Sequence, residues 1–209
     1  MKIVTDKRIE LMAVVQTMCN YWDDLMMRFN NGHLYSNEFK ENAKSYFDKH
    51  KEHKVIKLYK ALCNDIADIS FFLNLSLCYS PPPELISIAN YEDNFGKINS
   101  TVFPHEDFIN ELRNFYTDTN FEKFYEDNQN EYYQMLKDYG NKTDLSVNTV
   151  LEYLNNDMEN YTVIISPFLM GGFGIKLNTY TNGALQYSIM SPYDYKENKY
   201  IFGSATGNS

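Results

Sequence analysis

The sequence is poor in residues that build disulfide frameworks or nucleic-acid surfaces. It has three cysteines, Cys19, Cys63 and Cys78, and none belongs to a C-x-x-C pair. We therefore expect inert, buried thiols and no disulfides. Lys and Arg number 19 against 28 Asp and Glu, which gives a net charge of −9. Because an acidic chain without a basic cluster repels phosphate backbones, no nucleic-acid partner is expected.

Long hydrophobic segments are also missing. The most apolar run, residues 66–77, is interrupted by Asp68 and Asn74 and is too short to cross a bilayer. Residues 1–16 lack the apolar core and the small-residue cleavage site of a signal peptide. We expect a soluble chain with no membrane span. The cytoplasm is the default compartment, unless a longer native amino terminus directs export.

The four histidines do not form a recognisable metal-binding or catalytic set. His50 and His53 are three residues apart, but lysines surround them, and a metal ion needs at least one further donor. His33 and His105 have no evident partner, and no histidine follows His105. We therefore predict no metal site and no cofactor in this chain, and we assign no catalytic residue.

Helical patterns dominate residues 1–158. Asp6 is the predicted N-cap of a first helix that runs to about residue 29, with apolar residues at three- and four-residue spacing. Further helices are predicted over residues 36–49, 54–77, 104–116 and 121–139, the last ended by Gly140. A sixth helix is expected to begin at Asp144 or Ser146, and residues 90–100 are expected to form a loop.

Residues 159–209 have a strand-like pattern instead. Asn182 and Gly183 separate two runs rich in β-branched and aromatic residues, which predicts a hairpin with a two-residue type I′ turn. We expect an antiparallel sheet of three or four strands. Helices followed by strands indicate an α+β fold, in which this region and residues 1–158 pack as one domain.

Two groups of residues are candidates for a site. Glu10 lies beside the apolar face of the first helix, where a carboxylate needs a partner such as Arg8 or a basic group from another helix. Gly171, Gly172 and Gly174 follow a strand and lack the Lys-Ser/Thr of a phosphate-binding loop. These glycines indicate a wide turn, a bulge or a closely approached backbone.

Two short motifs resemble a known bacterial family. Residues 6–11, DKRIEL, resemble the D-x-R-x-E-L signature of proteins grouped as domain of unknown function 4932. Residues 121–132 resemble a second signature of that family, F-x-x-F-x-x-x-N-x-x-x-Y, in which the family favours His where this chain has Asn128. Asp6, Arg8, Glu10, Asn128 and Tyr132 are therefore the polar candidates.

The resemblance implies a relation to zinc-dependent peptidases. Members of the family are similar to enzymes in which a His-Glu-x-x-His helix follows the sheet, binds zinc and supplies the general base. This sequence has no such motif. Either it stops short of the zinc helix of a longer native protein, or this member has none. Asn128 in place of His further weakens any transfer of catalysis.

Three hypotheses follow. The leading one is a non-catalytic segment of a metallopeptidase-like protein, whose sheet edge accepts an extended peptide at Gly171, Gly172, Gly174 and Tyr180. The alternative is a stand-alone protein- or ligand-interaction domain. The third is a small-molecule enzyme that uses Arg8, Glu10, Asn128 and Tyr132. The sequence leaves the oligomeric state open.

Overall fold

The computed structural model describes residues 1–21, 36–63, 70–96, 105–143 and 161–202. These residues form eight α-helices and six strands, which confirms the α+β class with helices largely preceding the sheet. The helices are α1 (Lys7–Met18), α2 (Glu38–Phe47), α3 (Lys54–Cys63), α4 (Phe71–Leu77), α5 (Tyr91–Phe95), α6 (His105–Asp118), α7 (Phe121–Asp127) and α8 (Gln129–Thr143). The strands are β1 (Lys2–Val4), β2 (Tyr161–Ile165), β3 (Gly172–Thr179), β4 (Gly183–Met190), β5 (Asp194–Lys196) and β6 (Lys199–Ile201). Within the described ranges, no helix is both long and apolar enough to cross a membrane.

The main sheet has four strands in the order β1-β2-β4-β3. The β3–β4 hairpin is antiparallel as predicted, but β2 runs parallel to β4 and β1 runs parallel to β2. The sheet is therefore mixed rather than antiparallel throughout. Strand β4 lies between β2 and β3 and runs in the same direction as β2. Strands β5 and β6 form a separate antiparallel pair.

Strand β1 joins the two ends of the chain. Its three residues, Lys2–Val4, pair with residues 162–164 of β2, so the sheet includes a strand from the amino terminus. The sequence analysis did not anticipate this strand, because three residues are too few to show an alternating pattern. Strand β1 leads directly into the N-cap of α1, so the pairing positions that helix against the sheet.

An aromatic layer packs the helices against the sheet region. The Phe39 ring of α2 lies with its centroid 6.0 Å from that of Phe124, 5.6 Å from Tyr132 and 5.3 Å from Phe168. These partners belong to α7, α8 and the segment after β2. All four side chains are part of one buried apolar cluster. The tyrosines and phenylalanines of the sequence therefore form the contact between helices and strands.

Helix α1 is shorter than its apolar pattern predicts. It ends at Met18, and Asn20 has a φ of +55°, a left-handed conformation that stops a helix. The rest of the predicted extension, to residue 29, falls outside the described residues. The helix predicted over residues 54–77 is represented by α3 and α4, with residues 64–69 between them not described. The predicted sixth helix also falls outside the described residues.

Two further helix predictions were wrong. The helix expected over residues 121–139 is divided at Asn128, whose φ and ψ of −105° and 16° are not helical. Gly140 does not end α8, which continues to Thr143. The expected loop at residues 90–100 contains the helix α5, because the Asn90 side chain caps it by accepting a hydrogen bond from the Asp93 amide at 3.1 Å.

The β3–β4 hairpin is present, but its turn differs from the predicted type. Thr179 pairs with Gly183 across a three-residue loop, and of Asn182 and Gly183 only the glycine has a positive φ, +68°. The Thr179 hydroxyl accepts a hydrogen bond from the Asn182 amide at 3.0 Å and donates one to the Gly183 carbonyl at 3.1 Å. The Thr179 side chain therefore makes hydrogen bonds across the loop that backbone groups make in a two-residue turn.

Two glycine substitutions are predicted to have opposite effects on stability. Gly140→Ala should raise the free energy of unfolding by roughly 0.5–1 kcal/mol, because alanine orders a helix interior at lower entropic cost. A Cβ added at Gly140 or Gly183 meets no atom within 4 Å. Gly183→Ala should lower the free energy of unfolding by about 1 kcal/mol, because the positive φ of this residue is unfavourable for alanine. Urea denaturation measures both, and a destabilising Gly140→Ala would contradict a helix that continues through residue 140.

Candidate functional site

The first polar candidates form an ion pair at the start of α1. Asp6 accepts hydrogen bonds from the backbone amide and from Nε of Arg8, both at 2.9 Å, which confirms it as the N-cap. Arg8 Nη1 also donates to the carbonyl oxygen of Tyr79 at 3.0 Å, and its guanidinium lies 5.9 Å from the centre of the Tyr187 ring. Arg8 thus ties α1 to the residues after α4 and to strand β4.

Glu10 is completely buried, and its hydrogen-bond partner is neither Arg8 nor a basic group from another helix. Its Oε2 accepts a hydrogen bond of 2.9 Å from the hydroxyl of Tyr132 on α8. Its Oε1 has no partner of hydrogen-bonding geometry among the described residues. Burial raises the pKa of Glu10 to about 8, opposed by contacts with the Ser166 and Tyr132 hydroxyls and reinforced by the charge of Asp6. Glu10 is therefore largely protonated at neutral pH.

Aromatic side chains lie next to the hydrogen-bonded pair Glu10 and Tyr132. The Tyr125 ring lies 4.9 Å from the Tyr132 ring, and its hydroxyl is hydrogen-bonded to the Thr5 hydroxyl at 2.5 Å. Burial, together with the Glu10 charge, raises the pKa of Tyr132 well above its ordinary value. Both hydroxyls consequently act as hydrogen-bond donors or acceptors rather than as charged groups.

Asn128 does not join this polar group. Its side-chain amide donates to the Phe124 carbonyl at 2.7 Å, at the junction between α7 and α8. The structure therefore brings together Asp6, Arg8, Glu10 and Tyr132, and it places Asn128 one helical turn before Tyr132 in a different role. None of these residues is among those that line a cavity near α5 or a cavity at the end of α1. The hydrogen bonds of this buried group link α1 to α8 and to the residues after α4.

The second candidate region is the free edge of β3. Among the described residues, this strand has a neighbour, β4, on one side only. At its far end, the Asn94 side chain of α5 binds both backbone groups of Asn178, accepting from its amide at 2.6 Å and donating to its carbonyl at 3.1 Å. Because alternate residues of a strand direct their backbone groups to the same side, Gly174 and Lys176 face that edge as well. Their edge-facing groups have no partner among the described residues.

The glycines leave this edge open. Gly172 and Gly174 are exposed, and a Cβ added at Gly174 meets no atom within 4 Å. Gly171, with a φ of +79°, precedes the strand, and its carbonyl accepts from the Ser191 amide at 3.1 Å. Tyr180, 62% exposed, follows the strand, and its amide donates to the Ile88 carbonyl at 2.9 Å. Gly172 and Gly174 therefore belong to the edge strand, and Gly171 and Tyr180 flank it at its start and its end.

A family comparison bears on the whole chain. The family model described as Domain of unknown function (DUF4932) matches residues 1–206. The chain belongs to this family. No curated protein and no solved structure matches it. The description of the DUF4932 family assigns no activity, so the chemistry of this DUF4932 protein has to be argued from its own residues.

Sequence reasoning missed two residues of the edge. Asn94 lay in a segment that was expected to form a loop, and its bond to Asn178 joins positions 84 residues apart. Lys176 could have been found from the strand alternation, since it shares the exposed face of β3 with Gly172 and Gly174. In the ranges that the structure describes, no group of three or more His, Cys, Asp or Glu side chains is placed to hold a metal ion.

Glu10→Gln is predicted to flatten the pH dependence of stability. Because the folded-state pKa of about 8 exceeds the ordinary value of 4.5, the folded protein keeps a proton that the unfolded chain has already released. The stability of the natural protein should therefore fall between these pH values by up to about 1.4 kcal/mol per pH unit, and then level off. The amide cannot ionise and can still accept from Tyr132.

Urea denaturation at pH 5, 6.5 and 8 measures the free energy of unfolding of the natural protein and of Glu10→Gln. The difference between the two values at each pH cancels the titrations of all other groups. That difference should grow in favour of Glu10→Gln as pH rises. Glu84→Gln, the same change at an exposed position, is the matched control and should leave the pH profile unaltered. A difference that is constant with pH would contradict a protonated Glu10.

Proposed function

We propose that this DUF4932 protein binds an extended peptide by strand addition along the free edge of β3. The observation that carries the proposal is the row of edge-facing backbone groups at Gly172, Gly174 and Lys176, which have no partner among the described residues. A sheet edge of this kind presents donors and acceptors at the spacing that an extended peptide requires.

The ends of the edge limit the size of the bound segment. Gly172 to Lys176 spans five residues, or roughly 17 Å at the rise of a strand. Asn94 occupies the backbone groups of Asn178, so an added strand has to leave the sheet before that residue. The bound segment would therefore pair over about five residues, with hydrogen bonds at every second one.

Lys176 sets the charge of this edge. It is exposed on the same face as the two glycines. A lysine on an edge strand discourages unspecific pairing between two copies of a protein, since like charges then meet. The same charge favours a peptide that carries an acidic side chain opposite Lys176.

Gly174→Pro is predicted to weaken peptide binding without unfolding the sheet. Proline removes the amide that faces the free edge and leaves the hydrogen bonds to β4 intact. Gly174→Ala, which retains that amide, is the matched control. Octapeptides selected from a random displayed library against the natural protein serve as probes, and fluorescence anisotropy measures their affinity. We expect at least about a tenfold loss for Gly174→Pro and a small change for Gly174→Ala.

A second probe tests the peptide side of the same contact. Two forms of a selected octapeptide are compared, one methylated at the odd-numbered backbone amides and one at the even-numbered amides. Only one of the two should lose binding, since alternate residues direct their amides to the sheet. Failure to select any peptide, or equal affinities for Gly174→Pro and Gly174→Ala, would overturn strand addition.

We further propose that this chain does not itself cleave peptides. The resemblance to zinc-dependent peptidases places zinc on a His-Glu-x-x-His helix after the sheet, and this motif does not occur in the sequence. Mass-spectrometric metal analysis and a casein hydrolysis assay on the 209-residue chain should show neither stoichiometric zinc nor turnover. Stoichiometric zinc together with turnover would contradict this proposal.

The exposed tyrosines favour a second candidate, a protein-interaction surface. Tyr133 and Tyr193 are 69% and 63% exposed, and tyrosine is enriched at binding interfaces. If this candidate is correct, the selected octapeptides still bind the Gly174→Pro variant. They lose binding to Tyr133→Ala or Tyr193→Ala. The two candidates are therefore separated by the same set of variants.

A further inference from the structure

A cavity of about 270 Å³ lies beyond the end of β3 and is not used by the proposed strand addition. Its floor is apolar, formed by buried side chains of α4 and the residues around it. Its walls come from the segment before α5, from the first turn of α6 and from the hairpin loop. The wall residues that carry the argument are Tyr79, Ser87, Tyr91, Glu92, His105 and Tyr180. This volume is at the lower end for ligand sites and suits one small group rather than a large cofactor.

Aromatic rings make up most of the wall. Tyr91 is buried and packs edge-to-face on His105, with ring centroids 5.9 Å apart, and against Phe71 at 5.0 Å. Tyr180 stands at the rim, where its hydroxyl lies 3.5 Å from that of Ser87. Tyrosine rings attract cations through the negative potential of their faces. The wall is held in place before any ligand arrives.

The charge of the cavity is negative. Glu92 is the only acidic or basic side chain in its lining apart from His105. Burial lowers the pKa of His105, and although Glu92 opposes this shift, the ring is neutral at neutral pH. Arg113, a basic group whose charge acts on the wall residue Tyr79, is engaged by the carbonyls of Glu84 and Leu85 at 2.7 and 2.6 Å. A cation that enters the cavity therefore meets one uncompensated carboxylate.

We propose that this cavity binds an organic cation: an ammonium, quaternary ammonium or guanidinium group. Three tyrosines and one carboxylate match the two properties of such a group, an apolar surface and a delocalised or shielded positive charge. A divalent metal ion is a poor match, because one carboxylate and one imidazole are too few donors for it. The source of the cation is either a free amine or a Lys or Arg side chain of a peptide.

The test compares a cation with its neutral counterpart of the same shape. Choline, 3,3-dimethylbutan-1-ol and N-acetyl-arginine amide are titrated into the natural chain, and proton NMR follows the methyl signals of the first two. We expect choline to bind, with its methyl resonances shifted upfield by the aromatic rings, and the neutral alcohol not to bind. A tighter affinity for the arginine derivative identifies a peptide side chain as the source, and a tighter affinity for choline identifies a free amine.

Variants at exposed positions test whether choline binds in this cavity. Glu92→Gln and Tyr180→Leu should each weaken choline binding by roughly three- to tenfold. Asp93→Asn, next to Glu92 but outside the lining, and Tyr193→Leu, an exposed tyrosine elsewhere, are the matched controls. Thermal melting checks that all four variants are folded.

Three outcomes would overturn the proposal: no binding of any probe, equal binding of choline and its neutral counterpart, or unchanged binding in both Glu92→Gln and Tyr180→Leu. Gly174→Pro should leave choline binding unaltered. The cation site and the strand-addition site can therefore fail independently of each other.

Discussion

The burial of α1 is the constraint on which the rest of the structure depends. Nine consecutive residues, 8–16, are buried, so this helix is enclosed on all sides rather than along one apolar stripe. Each polar side chain within it then needs a partner from another element. Arg8 binds Asp6 and the carbonyl after α4, Glu10 binds Tyr132 of α8, and Gln16 donates to the Tyr59 hydroxyl of α3 at 3.0 Å. These bonds determine which helices surround α1.

The Glu10–Tyr132 pair shows how the protein accommodates an acidic group in its core. A buried carboxylate without a positive partner is far more costly than a neutral carboxylic acid that is hydrogen-bonded. Arg8 cannot serve, because Asp6 already holds its guanidinium at the N-cap. The carboxyl group therefore keeps its proton, and part of the protein's stability becomes dependent on pH. Glu10 thereby links α1 to α8 through its hydrogen bond with Tyr132.

The segment of residues 87–94 connects the two proposed binding sites. Asn94 closes one end of the β3 edge, while Ser87, Tyr91 and Glu92 line the cation cavity on the other side of the same segment. The Ile88 carbonyl also holds the amide of Tyr180, the residue that follows the strand. A peptide that leaves the edge at Lys176 thus departs close to the segment that separates the two sites.

The sequence by itself determined the features that depend on near neighbours. The N-cap at Asp6, the β3–β4 hairpin, the α+β class and the DUF4932 membership could all be predicted, because each is encoded within a few residues or in a conventional order of elements. Even locally, Asn20 and Asn128 interrupt helices whose apolar pattern continues, since the pattern reports burial and not backbone conformation.

Only the tertiary structure decided the contacts that join distant positions. Glu10 meets Tyr132 across 122 residues, Asn94 meets Asn178 across 84, and β1 pairs with a strand near the other end of the chain. The insertion of β4 between β2 and β3 made the sheet mixed and left β3 at its edge. Such contacts follow from how all the buried surfaces fit together. The spacing of residues along one segment carries no information about that fit, so the candidate sites became visible only in the folded chain.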